Sequence, residues 1–111
     1  GAVGLMQLMP ATAAELAGRP LSSAELERPE RNVALGVQYL RGLLLKWHGD
    51  LLPAVASYNA GPGAVGGWVN PRLRSAPELW VEAIPFPETR LYVKKVLGNA
   101  WSYRQPGLPG C

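Results

Sequence analysis

The side chains of this sequence that could engage a substrate fall in three short segments. In Gly1-Ala2-Val3-Gly4-Leu5-Met6-Gln7-Leu8-Met9-Pro10, small residues let the backbone pass close to a neighbour, and Gln7 is the one long polar side chain. In Ala56-Ser57-Tyr58-Asn59-Ala60-Gly61-Pro62-Gly63, a phenol hydroxyl stands next to an amide. In Ile84-Pro85-Phe86-Pro87-Glu88-Thr89-Arg90-Leu91-Tyr92-Val93, the carboxylate of Glu88 is followed one helical turn later by Tyr92. Amide, hydroxyl and carboxylate together supply donors and acceptors for a polar ligand. Taken singly, each segment also has a plain structural reading. Gln7 could be solvated at a tight helix contact, and Asn59 could cap a helix stop with Tyr58 in the core beside it. Glu88 could simply complement the helix dipole. Local chemistry leaves these alternatives open.

The elements that must position these side chains read as helices. No stretch alternates β-branched and aromatic residues over a strand's length, which makes the chain all-α. Thr12 and Glu15 have capping-box spacing, with Pro10 as an earlier possible start and Gly18 as the stop. Ser22 and Glu25 repeat that spacing, and Pro29 then opens a long helix to about His48, closed by Gly49. Val33, Val37, Leu40, Leu44 and Trp47 step by three and four along it, which predicts one apolar stripe and a central buried helix. Pro53 opens a helix through Tyr58 that Asn59-Ala60-Gly61-Pro62-Gly63, with two glycines and a proline, must break. A short piece is predicted over Val65 to Val69, and Ser75 with Glu78 predicts a cap for a helix over Leu79, Trp80 and Ala83. Pro87 begins the last helix, with Leu91, Val93, Val96, Leu97, Ala100 and Trp101 on its apolar face. Residues 105–111, rich in Pro and Gly, read as a disordered tail.

Composition narrows the class. At 111 residues the chain is one domain or part of one, and 48% hydrophobic against 17% charged residues is enough for a core. Eleven Lys and Arg against eight Asp and Glu give +3, compatible with an anionic polymer. No helix carries a basic run and the tryptophans fall where a core needs them, which argues against nucleic acid as partner. The lone Cys111 excludes an internal disulfide or a Cys-based zinc site, and His48 beside Gly49 has no partners for a metal, so no cofactor or metal is expected. No segment has the ~18 consecutive apolar residues of a membrane span. The chain starts at Gly1 within dense motif-like sequence, and reads as a piece cut inside a domain.

In their order and separation, the GLMQLMPATA, SYNAGPG and ETRLYVKKV strings resemble the soluble lytic transglycosylase (SLT) domain of bacterial and phage murein-cleaving enzymes, which is goose-type-lysozyme-like. The resemblance takes in residues 1–104 as the C-terminal part of such a domain. It implies an all-α, lysozyme-like fold around a glycan cleft, with the first core helix absent. It also implies peptidoglycan glycan strands as partner, a monomer, and a periplasmic or envelope location. The implied reaction is non-hydrolytic cleavage of the β-1,4 bond from N-acetylmuramic acid to N-acetylglucosamine, leaving a 1,6-anhydromuramoyl end. By the same resemblance Gln7 and Met9 line the cleft near the scissile bond, and Tyr58 approaches the catalytic carboxyl with Asn59 beside it. Glu88 and Tyr92 border the saccharide site, so all six residues are expected to converge on one groove.

The chain departs from the family pattern in one respect. The family's acid/base Glu stands in a Glu-Ser pair ahead of the GLMQ string, upstream of where Gly1 lies. None of Glu15, Glu25, Glu27, Glu30, Asp50, Glu78 or Glu82 has that context, and Glu88 sits in a different motif. No catalytic residue is therefore assigned within residues 1–111, and the chain by itself is expected to be inactive. Two other readings share the residues: a hydrolytic lysozyme on the same fold, and a non-catalytic peptidoglycan-binding module.

Overall fold

The computed structural model describes the backbone of residues 1–104 and the side chains of residues 1–98. It divides into two compact units, Gly1–Lys46 and a second beginning at Trp47. Eight α-helices make up the described residues, which contain no strand beyond an isolated antiparallel bridge between Val3 and Leu8. The all-α expectation is met. The expected tail at 105–111 lies outside the described residues, as do the side chains of Ala100 and Trp101.

In the first unit, α1 (Pro10–Ala17) starts at its proline, whose missing N–H and fixed φ suit the first helical position. Its N-cap is Met9 with no side-chain cap bond, so Thr12 and Glu15 do not form the expected box. Gly18 ends the helix in the left-handed conformation, as anticipated. The Ser22 and Glu25 box does form, and it caps a separate one-turn helix, α2 (Ser23–Glu27). The Glu25 carboxylate also takes a 2.8 Å bond from the Arg19 guanidinium. That bond, with the Ser22 backbone N–H, holds Glu25 at a pKa of about 2.

A carboxylate with a depressed folded pKa adds stability that is present above its unfolded pKa and is lost as pH falls through the folded value. Glu25→Gln keeps the box geometry and removes the charge. Its melting temperature should lie below the parent's at pH 6, and the two should merge as the pH approaches 2. An equal gap at both pH values would show that the ion pair contributes nothing.

The long helix α3 (Pro29–Lys46) buries a different seam from the one expected. Asn32, Leu35, Gly36 and Leu43 are buried, while Val33 and Val37 are 38% and 44% exposed. The seam is turned by one residue, about 100°. The cause is the segment before α1, which docks on Asn32 and Gly36 instead of on the valines.

In the second unit, α4 (Leu51–Ala60) is capped by Asp50, whose carboxylate accepts from Leu52 N–H at 3.3 Å, two residues before the expected start at Pro53. Pro53, Ala54, Val55, Ala56 and Ser57 are all buried. Five consecutive positions go round the whole circumference of a helix, so the middle of α4, and not α3, is the enclosed segment. Gly61 then adopts φ 92° and ψ 143°, a conformation open in practice only to glycine, and Pro62 starts α5 (Pro62–Gly66) at once. This piece precedes the expected 65–69 span. A further turn, α6 (Arg72–Ser75), was not expected, and the Ser75 hydroxyl donates to the Pro71 carbonyl instead of capping α7 (Pro77–Glu82). The last helix is α8 (Pro87–Arg104).

The core of this unit gathers Val55, Ala56, Val65, Trp80, Val81, Ile84 and Val93. Trp80 is 2% exposed and its indole N–H donates to the Trp68 carbonyl at 2.9 Å. On α8, Val93 is buried and Val96 and Leu97 pack against the core, but Leu91 is 67% exposed, off the expected face.

Candidate functional site

The residues before α1 fold into a tight knuckle. Val3 and Leu8 exchange both backbone hydrogen bonds, at 2.8 and 3.0 Å, and Gln7 N–H closes the turn onto the Gly4 carbonyl at 3.1 Å. Leu8 is buried, whereas its neighbours Gln7 and Met9 are exposed. Gln7 itself has φ 51°, a left-handed conformation that a residue with a Cβ occupies at a cost of about 1 kcal/mol. Its Nε2 donates to the Gly4 carbonyl at 2.7 Å. A carbonyl oxygen only accepts, so this bond fixes which end of the Gln7 amide faces the loop and leaves Oε1 turned away from it.

The knuckle is seated on α3 by residues that the motif strings do not include. The Asn32 side chain, 0% exposed, accepts from Met6 N–H at 2.7 Å and donates to the Val3 carbonyl at 2.9 Å and the Leu26 carbonyl at 3.0 Å. A Cβ on Gly4, whose φ is 77°, would stand 2.3 Å from Asn32 Nδ2, and one on Gly36 would stand 2.5 Å from Met6 Cβ. The sequence carried a signal for this. Asn32 is in register with Leu35, Gly36, Tyr39 and Leu43, and an amide on an apolar seam needs partners.

In the second unit α4 presents Tyr58, half-buried, and Asn59, exposed, in its last turn. Asn59 is inside the helix and is not its stop, because Gly61 supplies the positive-φ residue that ends it. Its Oδ1 accepts from the Thr89 hydroxyl at 2.7 Å, and Thr89 is 2% exposed. This bond joins two segments thirty residues apart and places the first turn of α8, with Glu88, against the end of α4. Glu88 is exposed. Tyr92 lies four residues further along α8, half-buried against the core, and burial raises its phenol pKa above the ordinary value. In the same turn Arg90 has its Nε buried without a hydrogen-bond partner among the described residues. Both residues, Thr89 and Arg90, stand inside the ETRLYVKKV string, but the resemblance assigned neither a role.

The structure thus pairs Gln7 with Met9 in one unit, and Asn59 with the Glu88 and Tyr92 turn in the other. A separate cleft of about 420 Å³ in the second unit has Leu52, Pro77, Val81 and Leu97 for walls and Glu78, Glu82 and Lys94 at its rim. It includes none of the six residues, and its charged rim is engaged in a Lys94 to Glu82 ion pair. Among the described residues there is no group of three His, Cys, Asp or Glu that could hold a metal ion, and no helix is long and apolar enough to cross a membrane.

Comparison with known proteins gives consistent matches. The model of the Transglycosylase SLT domain family matches residues 1–81. The soluble lytic murein transglycosylases of Salmonella typhimurium and Escherichia coli K12 are each 41% identical in an alignment of 110 positions that covers 94% of this chain. The chain spans 17% of the length of these relatives. Among solved structures, an inactive mutant of the lytic transglycosylase Slt from Pseudomonas aeruginosa is 45% identical with a TM-score of 0.72, over 83% of this chain and 16% of that one.

Proposed function

The chain belongs to the transglycosylase SLT domain family, and from that premise we propose that it forms part of a glycan-cleaving site acting on peptidoglycan in the periplasm or cell envelope. In this reading Gln7 and Met9 of the first unit, and Tyr58, Asn59, Glu88 and Tyr92 of the second, are the residues that meet glycan. The observation that most supports it is the Asn59 to Thr89 hydrogen bond, which makes the SYNAGPG and ETRLYVKKV segments one wall instead of two unrelated helix ends.

The reaction needs one carboxyl group of raised pKa, which we place in the Glu-Ser pair ahead of the GLMQ string in the intact protein. That group protonates the glycosidic oxygen as the bond from C1 of N-acetylmuramic acid breaks, and the substrate's own acetamido group stabilises the positive charge. The resulting carboxylate then takes the proton of the C6 hydroxyl, whose oxygen closes onto C1. The carboxyl group is regenerated and no water is consumed. Tyr58 holds that carboxyl in place. Gln7 and Asn59 give directional hydrogen bonds to the sugar, and Met9 and Tyr92 give it apolar surface.

Incubation of the intact protein with murein sacculi, followed by mass spectrometry of the muropeptides, tests this. The expected products carry 1,6-anhydromuramoyl ends. Reducing ends would instead assign a hydrolase on the same fold. Binding without products from a folded protein would assign a peptidoglycan-binding module.

A further inference from the structure

We propose that Asn32 is a positioning residue for the glycan, acting through Gln7. The inference rests on the glycan-cleft reading of Gln7. Asn32 is the first buried residue of α3, in its first turn, and an amide there is unfavourable for the core unless it finds partners, where an apolar side chain of similar size would need none. Asn32 is tolerated because every bond it makes is satisfied, and two of the three go to the knuckle that carries Gln7: to Met6 N–H and to the Val3 carbonyl. These bonds fix both sides of the turn. Gly4 and Gly36 allow contact too close for any other residue, so the knuckle has one seating on α3.

What that seating holds is a conformation the chain would not choose. Gln7 stays left-handed only while the Val3 and Leu8 ends are pinned, and only then does its Nε2 reach the Gly4 carbonyl. Oε1 is thereby presented outward as an acceptor, matched to a hydroxyl or to the acetamido N–H of an N-acetylated sugar. Strain kept at an exposed polar residue, with the supporting bonds buried beneath it, is the pattern of a pre-organised contact.

A double-mutant cycle on the intact protein tests this, with affinity read by titration of a tetrasaccharide of alternating N-acetylglucosamine and N-acetylmuramic acid. Gln7→Ala and Asn32→Ala are each expected to weaken binding by about 5- to 10-fold, the worth of one hydrogen bond. If Asn32 acts through Gln7, the double variant is no weaker than the single ones. A product of the two effects, about 25- to 100-fold, would make Asn32 a residue of the fold only and overturn the inference. No loss from Gln7→Ala alone would overturn it by removing the glycan contact itself, a failure visible in a different arm. Should Asn32→Ala not fold, Asn32→Ser, uncharged and still able to donate or accept one hydrogen bond, enters the same cycle.

Discussion

Tyr58→Phe in the intact protein should slow murein cleavage by about 10- to 150-fold and leave its thermal unfolding nearly unchanged. The magnitude follows from the loss of one hydrogen bond to a charged group, about 1.5–3 kcal/mol. Phenylalanine keeps the ring that α4 holds half-buried in its last turn, so packing is conserved. Tyr58 follows five consecutive buried residues and precedes Asn59, whose bond to Thr89 ties this turn to α8. The ring is therefore set on a rigid element, as a group that orients another must be. Unchanged turnover with a sharp fall in melting temperature would make Tyr58 a core residue.

The largest effect on stability is expected at Trp80. It is 2% exposed, it lies among Val55, Ala56, Val65, Ile84 and Val93, and its indole N–H satisfies the Trp68 carbonyl. Trp80→Ala removes the ring and that donor together, for a loss of about 3–5 kcal/mol, a large part of the ~5–15 kcal/mol that holds a typical domain. Trp80→Phe keeps most of the volume and gives up the hydrogen bond, so it should fall well short of that loss. Urea unfolding followed by circular dichroism would rank them. Equal midpoints for Trp80→Ala and the parent would mean that the cluster around α4 is not the core.

Local signals showed through wherever backbone chemistry decided the outcome. Gly18, Pro29 and Pro87 mark their helix ends as read, because a left-handed residue or a missing N–H acts without help from the rest of the fold, whereas α4 runs two residues past Tyr58, through Asn59 and Ala60, before Gly61 ends it. Side-chain spacing was a weaker guide. Of three capping-box spacings only Ser22 and Glu25 closed, since Pro10 and Pro77 supplied other starts. The buried seam of α3 escaped because it is set by what docks there. Val33 and Val37 gave the cleaner periodicity, but Asn32 and Gly36 accept the knuckle. The resemblance likewise pointed to the residues expected to face a sugar and gave no role to those beneath them, Asn32 outside the motif strings and Thr89 inside one, which act through hydrogen bonds to groups 26 to 30 residues distant in the chain.

The left-handed backbone of Gln7 makes position 7 a place where selection for durability and selection for work pull apart. Glycine or asparagine would occupy φ 51° with less strain, and either would relax the turn that the knuckle now holds under tension. A campaign scoring only heat tolerance would therefore drift toward those residues there and retire the one long amide that the turn exposes. The thermal gain would conceal the loss until glycan was added to the assay.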